Sequence, residues 1–263
     1  MTGKAGESTA GYRDRNSTAD RALDILLLFN DNKLVWTGSE IADQLGVARS
    51  TGYRYLQSLV NTNFVEEVPG GFRLGLRILE LARLARTGMN LSEIALPAMH
   101  ELAAAVKETV LLTRRSGRSV VCLDLVEAPY PVRLSYERGH LLPINAGAAA
   151  AVLLAWESED EVTTVLDAAP LESFTAKTLT DTGELRKRLA RIRKEGVAVS
   201  QGELDEQILG VAAPIRDAKG AVTAAVSIAA LASRVPRAQI KDVKAAVKRS
   251  ADLISQRLLL FGS

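Results

Sequence analysis

The sequence predicts an α+β fold: an N-terminal winged helix-turn-helix, a linker helix, and a C-terminal domain with a mostly antiparallel sheet. Three observations carry that expectation. Two short helical patterns meet across Gly46, which sits in the turn between Leu45 and Arg49. A hairpin signal, Val68-Pro69-Gly70, follows them between two short β-rich runs. Beyond residue 90, strand and helix patterns mix, with hairpin turns among the strands, as in an α+β domain.

Composition bounds what this fold can do. The chain has 263 residues, 47 % apolar and 24 % charged, an ordinary soluble composition. That length allows one large domain or two smaller ones, each with a core, since a domain of ~150 residues buries about two-thirds of its unfolded surface. With 33 Lys and Arg against 31 Asp and Glu, the net charge of +2 decides little; a local basic face matters more than the total. One cysteine cannot close an internal disulfide, which fits a reducing cytoplasm. Two histidines and that cysteine, far apart in sequence, argue against a His/Cys zinc site, and no cofactor is expected. The longest apolar stretch, residues 146–156, is well short of the ~20 residues of a spanning helix, so no membrane partner is expected. Residues 1–16 are rich in Gly, Ser and Thr and lack the apolar run of an export signal, so they read as a disordered tail.

The rest divides into a winged helix-turn-helix over 17–75, a linker helix over 76–90 and a second domain over 91–263. The first helix starts at Thr18, a potential N-cap, and runs to about residue 30, with Ala19, Ala22, Leu23, Leu26 and Phe29 on one face. Asp31-Asn32-Lys33 reads as a turn. Ser39 caps a short second helix with Ile41, Ala42 and Leu45 inward, and Gly46 stops it by entering the left-handed region. A third helix over 49–61 follows, completing a helix-turn-helix. Runs at 64–67 and 71–74 make the wing, and 76–87 leads away as a helix.

In the second domain, 92–107 reads as a helix with Pro97 early in it. Strands are expected at 109–114, 119–126 and 132–136, then a buried helix at 146–156. Ser158 to Glu161 fits a capping box, and Asp181 to Glu184 fits another that opens a helix closing at Gly196. Strands at 197–200, 209–216 and 221–231 precede a C-terminal helix from 236 to about 260.

The third helix carries the sharpest chemical signal. Gly52, Leu56, Leu59 and Val60 share one face at helical spacing. Arg49, Ser50, Tyr53, Arg54 and Gln57 share another, offering two guanidinium forks, two hydroxyls and an amide to base edges and phosphates. No acidic residue occurs between Asp43 and Glu66, as a surface beside phosphates requires. A merely solvated helix would also have a polar face. The small Ala42, the turn at Gly46 and the wing favour DNA. Helix-start residues reach bases in such motifs, which assigns Arg49, Ser50 and Tyr53 to base edges and Thr51, Arg54 and Gln57 to phosphates or flanking bases. Arg73 in the wing fits a backbone contact and a solvated strand position equally well.

These residues resemble a known family. Ser39-Glu40-Ile41-Ala42, Leu45-Gly46-Val47, Ser50-Thr51-Gly52-Tyr53-Arg54-Tyr55-Leu56 and Phe72-Arg73-Leu74-Gly75 are similar to the DNA-binding half of the IclR family of bacterial transcriptional regulators. Gly139 to Ala146, Glu195 to Glu203, Ala212-Ala213-Pro214-Ile215 and Val226-Ser227-Ile228 resemble its effector domain. The likeness covers about residues 18–260. It implies a GAF-like effector domain, a homodimer or dimer of dimers, and a palindromic or pseudopalindromic double-stranded operator. Gly52 departs from the small aliphatic residue usual there, which implies a helix loose until DNA orders it, since Gly costs about 0.5–1 kcal/mol relative to Ala. Asn63 replaces a usual Gly, a change that the left-handed conformation tolerates.

In the second domain, the helix start after Pro143 offers free N–H groups near Ala148 and Ala149, an arrangement that attracts carboxylates. An alanine-rich stretch fits plain tight packing as well, and the residues alone leave both open. The resemblance implies a small organic acid held there, with a wall of Leu134, Leu142, Ala148, Ala149, Ser200, Gly210, Ser227 and Ala229. Gly210 stands where Cys is frequent, Ala229 where a second Ser occurs, and Ala150-Ala151 where a Gly-Lys pair is frequent. The changes at 210 and 229 predict a roomier, less polar pocket, suited to an aromatic or longer-chain acid rather than a two- or three-carbon keto acid.

His100 reads as a helix-surface residue, and His140 as a loop residue near the pocket. Cys122 reads as a small buried hydrophobe. Arg114-Arg115 and Arg186-Lys187-Arg188 read as solvated basic faces. No nucleophile elbow, P-loop or dinucleotide fingerprint is present, so an enzyme is not expected. The expected function is a ligand-responsive DNA-binding regulator. The alternatives are a constitutive dimeric regulator whose second domain only dimerises, and an enzyme with an accessory winged helix.

Overall fold

The computed structural model describes residues 18–130 and 136–261. The chain divides between Gly88 and Met89 into two compact units. The expected tail and the expected strand at 132–136 lie outside the described residues, except Tyr136, which belongs to no strand.

The first unit comprises α1 (Thr18–Leu28), α2 (Gly38–Leu45), α3 (Arg49–Asn61), β1 (Val65–Val68), β2 (Gly71–Leu74) and α4 (Arg77–Met89). Thr18 is helical rather than a cap, and α1 stops at Leu28 because Asn30 turns the chain. Its side chain accepts from the Asn32 N–H at 3.0 Å, and its backbone N–H and C=O pair with Lys33. The cap of α2 is Thr37, not Ser39. Thr37 Oγ1 accepts from the Glu40 N–H, and Glu40 Oε2 accepts from the Thr37 N–H at 2.9 Å, a reciprocal capping box in Thr37-Gly38-Ser39-Glu40. Gly46 closes α2 at φ 65°.

Ile25, Ile41, Leu45, Leu56, Leu59, Val65 and Phe72 form the core of this unit. At its tightest point α3 crosses α2 with Gly52 against Ala42. A Cβ at 52 would stand 3.0 Å from Ala42 Cβ and 3.3 Å from Ala42 Cα. Gly52 therefore permits a close approach of the two helices. The wing strands pair from Val65 opposite Leu74 to Val68 opposite Gly71. Trp36 extends this ribbon by exchanging backbone hydrogen bonds with Phe72 at 3.0 and 2.8 Å.

The second unit begins with α5 (Leu91–Val106), β3 (Thr109–Ser116), β4 (Ser119–Val126), β5 (Leu141–Pro143) and α6 (Ala148–Ala155). It continues with α7 (Glu159–Asp167), α8 (Thr182–Glu195), β6 (Ala198–Gln201), β7 (Ile208–Arg216), β8 (Val222–Leu231) and, after a 3-10 turn, α9 (Ile240–Phe261). Among the described residues the sheet has six strands in the order β5-β4-β3-β8-β7-β6, every neighbour antiparallel. The short edge strand β5 was not expected. It ends in Pro143, which an edge tolerates because no outer partner needs its missing N–H.

Alternation along the strands divides the core in two. Val110 and Leu112, with Leu209, Val211, Ala213 and Ile215 and with Ala224, Val226, Ile228 and Ala230, face α5 and α9. The opposite parity, including Val120, Ala198, Ala212 and Ala225, faces α6, α7 and α8. The alanine-rich α6 is buried along its whole length and lies across β6, β7 and β8. The site sits on this second face, at the start of α6.

Two expectations follow. Gly52→Ala gains about 0.5–1 kcal/mol of helix propensity and loses a similar amount to the contact with Ala42, so the thermal midpoint stays near that of the native chain. Gly52→Val overpacks the crossing by about 1–3 kcal/mol, which Trp36 fluorescence on denaturant unfolding reports. Glu40 titrates at about 2, held down first by the Lys33 ammonium 2.7 Å away and then by Thr37. A lowered folded value stabilises above the ordinary value near 4.5 and is lost as pH falls toward 2. The thermal-midpoint difference between native chain and Glu40→Gln is therefore present at neutral pH and shrinks through that window.

Candidate recognition helix and ligand cavity

The start of α3 is open. Its N-cap is Ala48, which has no side chain to cap with, and its first turn has no acidic residue. The Arg49 and Ser50 N–H groups therefore face solvent at the positive end of the helix. Arg49, Ser50, Tyr53, Arg54 and Gln57 are exposed together, and Thr51 is half-buried behind them. Tyr53 is partly fixed. Its ring lies over Gly38, where a Cβ would stand 2.5 Å from Tyr53 Cζ, and meets Phe72 edge-on at 6.2 Å. Gln57 donates along the helix to Asn61 Oδ1 at 3.1 Å. Arg73 is bonded across the wing to Glu66. The polar face is thus assembled as expected, with Arg73 already paired.

On the second unit, a small cavity of about 50 Å³, partly open to solvent, lies between the start of α6 and the sheet. That is tighter than most small-molecule sites, so a ligand would have to part the small side chains that line it. Leu142, Ala148, Ala149, Ser200, Gly210, Ser227 and Ala229 all line it. Leu134 lies outside the described residues. Register explains the convergence: Ser200 pairs with Gly210 and Gly210 with Ala229, so one row crosses β6, β7 and β8 on the face toward α6. Ser227 lies two residues along that face, opposite Leu111.

The polar groups gather at one end. Gly147, at φ 95°, precedes α6 and caps it without a side chain. The N–H groups of Ala148, Ala149 and Ala150 are the first of the helix and have no acceptor within it. Ser200 and Ser227 are 6 % and 3 % exposed, and neither hydroxyl has a partner among the described residues. A Cβ at Gly210 would stand 2.9 Å from Ser200 Oγ and 3.7 Å from Ala148 N, so these groups surround one point. Leu111, Leu142, Leu204 and Ile208 form apolar wall, with Tyr136 beside them. Burial raises the Tyr136 hydroxyl above its ordinary range, and the Asp205 charge adds to that, so it stays protonated.

Sequence reasoning assigned no role to Glu203. It is buried, lines the cavity, and accepts through Oε2 from the Gly147 N–H at 3.0 Å and from Arg188 Nη1 at 2.8 Å. Arg188 also donates to the Val199 carbonyl at 3.1 Å. Arg188 is thus a buried partner, not part of a solvated face, because the Arg side of α8 turns toward β6. Breaking such a pair by removing one partner costs about 3–5 kcal/mol. Thr175 and Thr178 hydroxyls donate to the Gly202 and Glu203 carbonyls at 2.5 and 2.6 Å and tie the segment in place. The missed signal was Gly202, whose φ of 77° turns Glu203 back toward α6.

The other marked residues are also placed. His100 is exposed on α5, and His140 stands beside Tyr136 without lining the cavity, ring centroids 6.2 Å apart. Cys122 is fully buried behind Leu111 and Ala229, and burial pushes its thiol up to about 11. Arg115 is half-buried and bonded to Glu157 and Glu161, so it too is no solvated cation. Arg186 and Lys187 pair at the surface with Glu159 and Glu184.

A winged helix with an open basic recognition face, joined to an α+β domain with a small cavity lined by donors, defines a DNA-binding regulator. The sequence matches the family described as bacterial transcriptional regulator IclR C-terminal over residues 84–256, and the IclR helix-turn-helix domain over 18–69. The chain belongs to the IclR family and is a DNA-binding transcriptional regulator rather than an enzyme. It is 28 % identical over 244 residues to the HTH-type transcriptional regulator XynR of Escherichia coli (strain K12), covering 92 % of this chain and 96 % of XynR. Its fold is similar to the crystal structure of an IclR transcriptional regulator from Alicyclobacillus acidocaldarius, with TM-score 0.78, 28 % identity, and coverage of 91 % and 98 %. It is also similar to an IclR homologue from Microbacterium hydrocarbonoxydans complexed with 4-hydroxybenzoate, with TM-score 0.77, 26 % identity, and coverage of 92 % and 99 %. Among the described residues, no helix is long and apolar enough to cross a membrane.

Proposed function

We propose that this regulator's affinity for its operator is modulated by a small organic acid, aromatic or longer-chain, bound at the start of α6. One observation carries the reading. Two largely buried serines, Ser200 and Ser227, line the same cavity as the open helix start, and their hydroxyls have no partner among the described residues. These donors open on the cavity and can each bond an acceptor that arrives there. A carboxylate satisfies both sets, and the apolar wall takes the body of the acid. The acid held by the Microbacterium relative is of this class.

On DNA, Arg49, Ser50 and Tyr53 read base edges, while Thr51, Arg54 and Gln57 hold phosphates or flanking bases. Arg73 contributes only if it releases Glu66. The chain acts as a homodimer or dimer of dimers on a two-fold operator, so half-site spacing must match the spacing of two recognition helices. The acid acts by binding two arrangements of the protein unequally, since a ligand shifts an equilibrium only by its differential affinity.

Fluorescence anisotropy on duplex from upstream of the gene, at ~150 mM salt with unrelated duplex as competitor, tests the DNA half. The expected result is saturable binding that Arg49→Ala with Tyr53→Ala abolishes. Arg54→Ala lowers the salt slope by about 1, as loss of one phosphate contact should, and Arg73→Ala changes little. For the ligand half, 4-hydroxybenzoate or benzoate raises the thermal midpoint and changes operator affinity, whereas glyoxylate and pyruvate do so weakly. Binding of the keto acids alone overturns the aromatic assignment. Operator binding with no acid response favours a constitutive regulator.

A further inference from the structure

The charge pattern of the cavity goes beyond acid recognition. Among the described residues that line it, the charged side chain is an acid, Glu203, and neither lysine nor arginine is present. Glu203 is fixed by two bonds on one oxygen, from the Gly147 N–H at 3.0 Å and the Arg188 guanidinium at 2.8 Å. Its negative charge therefore sits one residue before the N–H groups left for a ligand. Arg188 balances Glu203 and is consumed in doing so, being buried and bonded also to the Val199 carbonyl.

Resting on the acid-binding reading above, the geometry points to Glu203, positioned by Arg188, as a charge filter that admits singly charged carboxylates and rejects dicarboxylates and phosphorylated acids. The first carboxylate of a ligand meets the Ala148 to Ala150 N–H groups and the hydroxyls of Ser200 and Ser227. These offset its loss of water. A second negative charge elsewhere in the cavity meets apolar wall at Leu111, Leu142, Leu204 or Ile208, with no described cation to balance it. It also shares the cavity with the Glu203 carboxylate, and like charges repel. Rejection by a placed repulsive charge is a standard route to specificity.

Isothermal titration calorimetry on the full chain with geometrically matched probes tests this. 4-Hydroxybenzoate is set against terephthalate, where a second carboxylate replaces the hydroxyl, and hexanoate against adipate. In the native chain each dianion is expected to bind more weakly than its monoanion by about tenfold or more. Glu203→Gln keeps an oxygen acceptor for the Gly147 N–H, removes the negative charge and leaves Arg188 unbalanced, so the ratio within each pair should collapse toward one. A change in packing alone would weaken both members together and leave the ratio. Arg188→Met with Glu203→Gln leaves no unpaired charge, and should narrow the ratio less, so the series survives if the single variant fails to fold. Equal binding of both members by the native chain overturns the filter while leaving the acid-binding reading intact. An unchanged ratio in folded variants overturns it too. Failure of all four probes to bind overturns the filter together with the reading it rests on.

Discussion

A buried helix must satisfy its first N–H groups, and the second unit is arranged around that requirement at α6. The helix is buried from end to end, so its start is reached only through the cavity. Gly147 supplies no capping side chain. Glu203 reaches in from the turn after β6 to take the Gly147 N–H, and Arg188 from α8 holds Glu203. Thr175 and Thr178 fasten the Gly202 and Glu203 carbonyls at the start of that turn. Three elements distant in sequence thus converge on one helix end, and the donors they do not take are those that open on the cavity.

The same logic distinguishes the starts of α3 and α6 from those of α2, α7 and α8. Thr37, Ser158 and Asp181 each accept from an N–H in the first turn of their helix, closing α2, α7 and α8. By contrast, α3 and α6 begin after Ala48 and Gly147, which carry nothing to accept with. One open start faces solvent beside Arg49 and Arg54; the other faces an apolar cavity beside two serines. Both keep a positive end for an anion from outside the fold, a phosphate in the first case and a carboxylate in the second. The surroundings decide which. An exposed end with flexible cations suits a polyanion in water, and a recessed end with small side chains suits one compact acid.

Periodicity and cap chemistry made most of the fold legible. The helix-turn-helix, the wing, the capped helices α7 and α8 and the strands β3, β4, β6, β7 and β8 follow local rules that a sequence displays. The cavity wall came from family likeness, and cross-strand register then explained why Ser200, Gly210 and Ala229 share a row. What was illegible depended on tertiary pairing. Ser39 looks as good a cap as Thr37 until the position of Glu40 relative to each is counted. Arg188 reads as one of three surface cations because nothing local announces a carboxylate fifteen residues later, folded back by Gly202. β5 has too few residues for any period to register.

Close backbone approach is the remaining device, and it recurs in both units with the smallest side chains. At Gly52 and Ala42 it sets how near α3 lies to α2, and so how the polar face of α3 stands relative to the scaffold that carries it. At Gly210 and Ala148 it sets how near the sheet lies to the start of α6. A side chain at 210 would press on Ser200 Oγ and cover the Ala148 N–H, so the absence of a Cβ there keeps donors reachable while adding apolar room. Helix propensity disfavours glycine at 52, and chain entropy disfavours it in the strand at 210. Both costs are local. What they permit is a contact between two elements, which is why a reading of either segment alone treats the glycine as a weakness and the assembled fold treats it as a spacer.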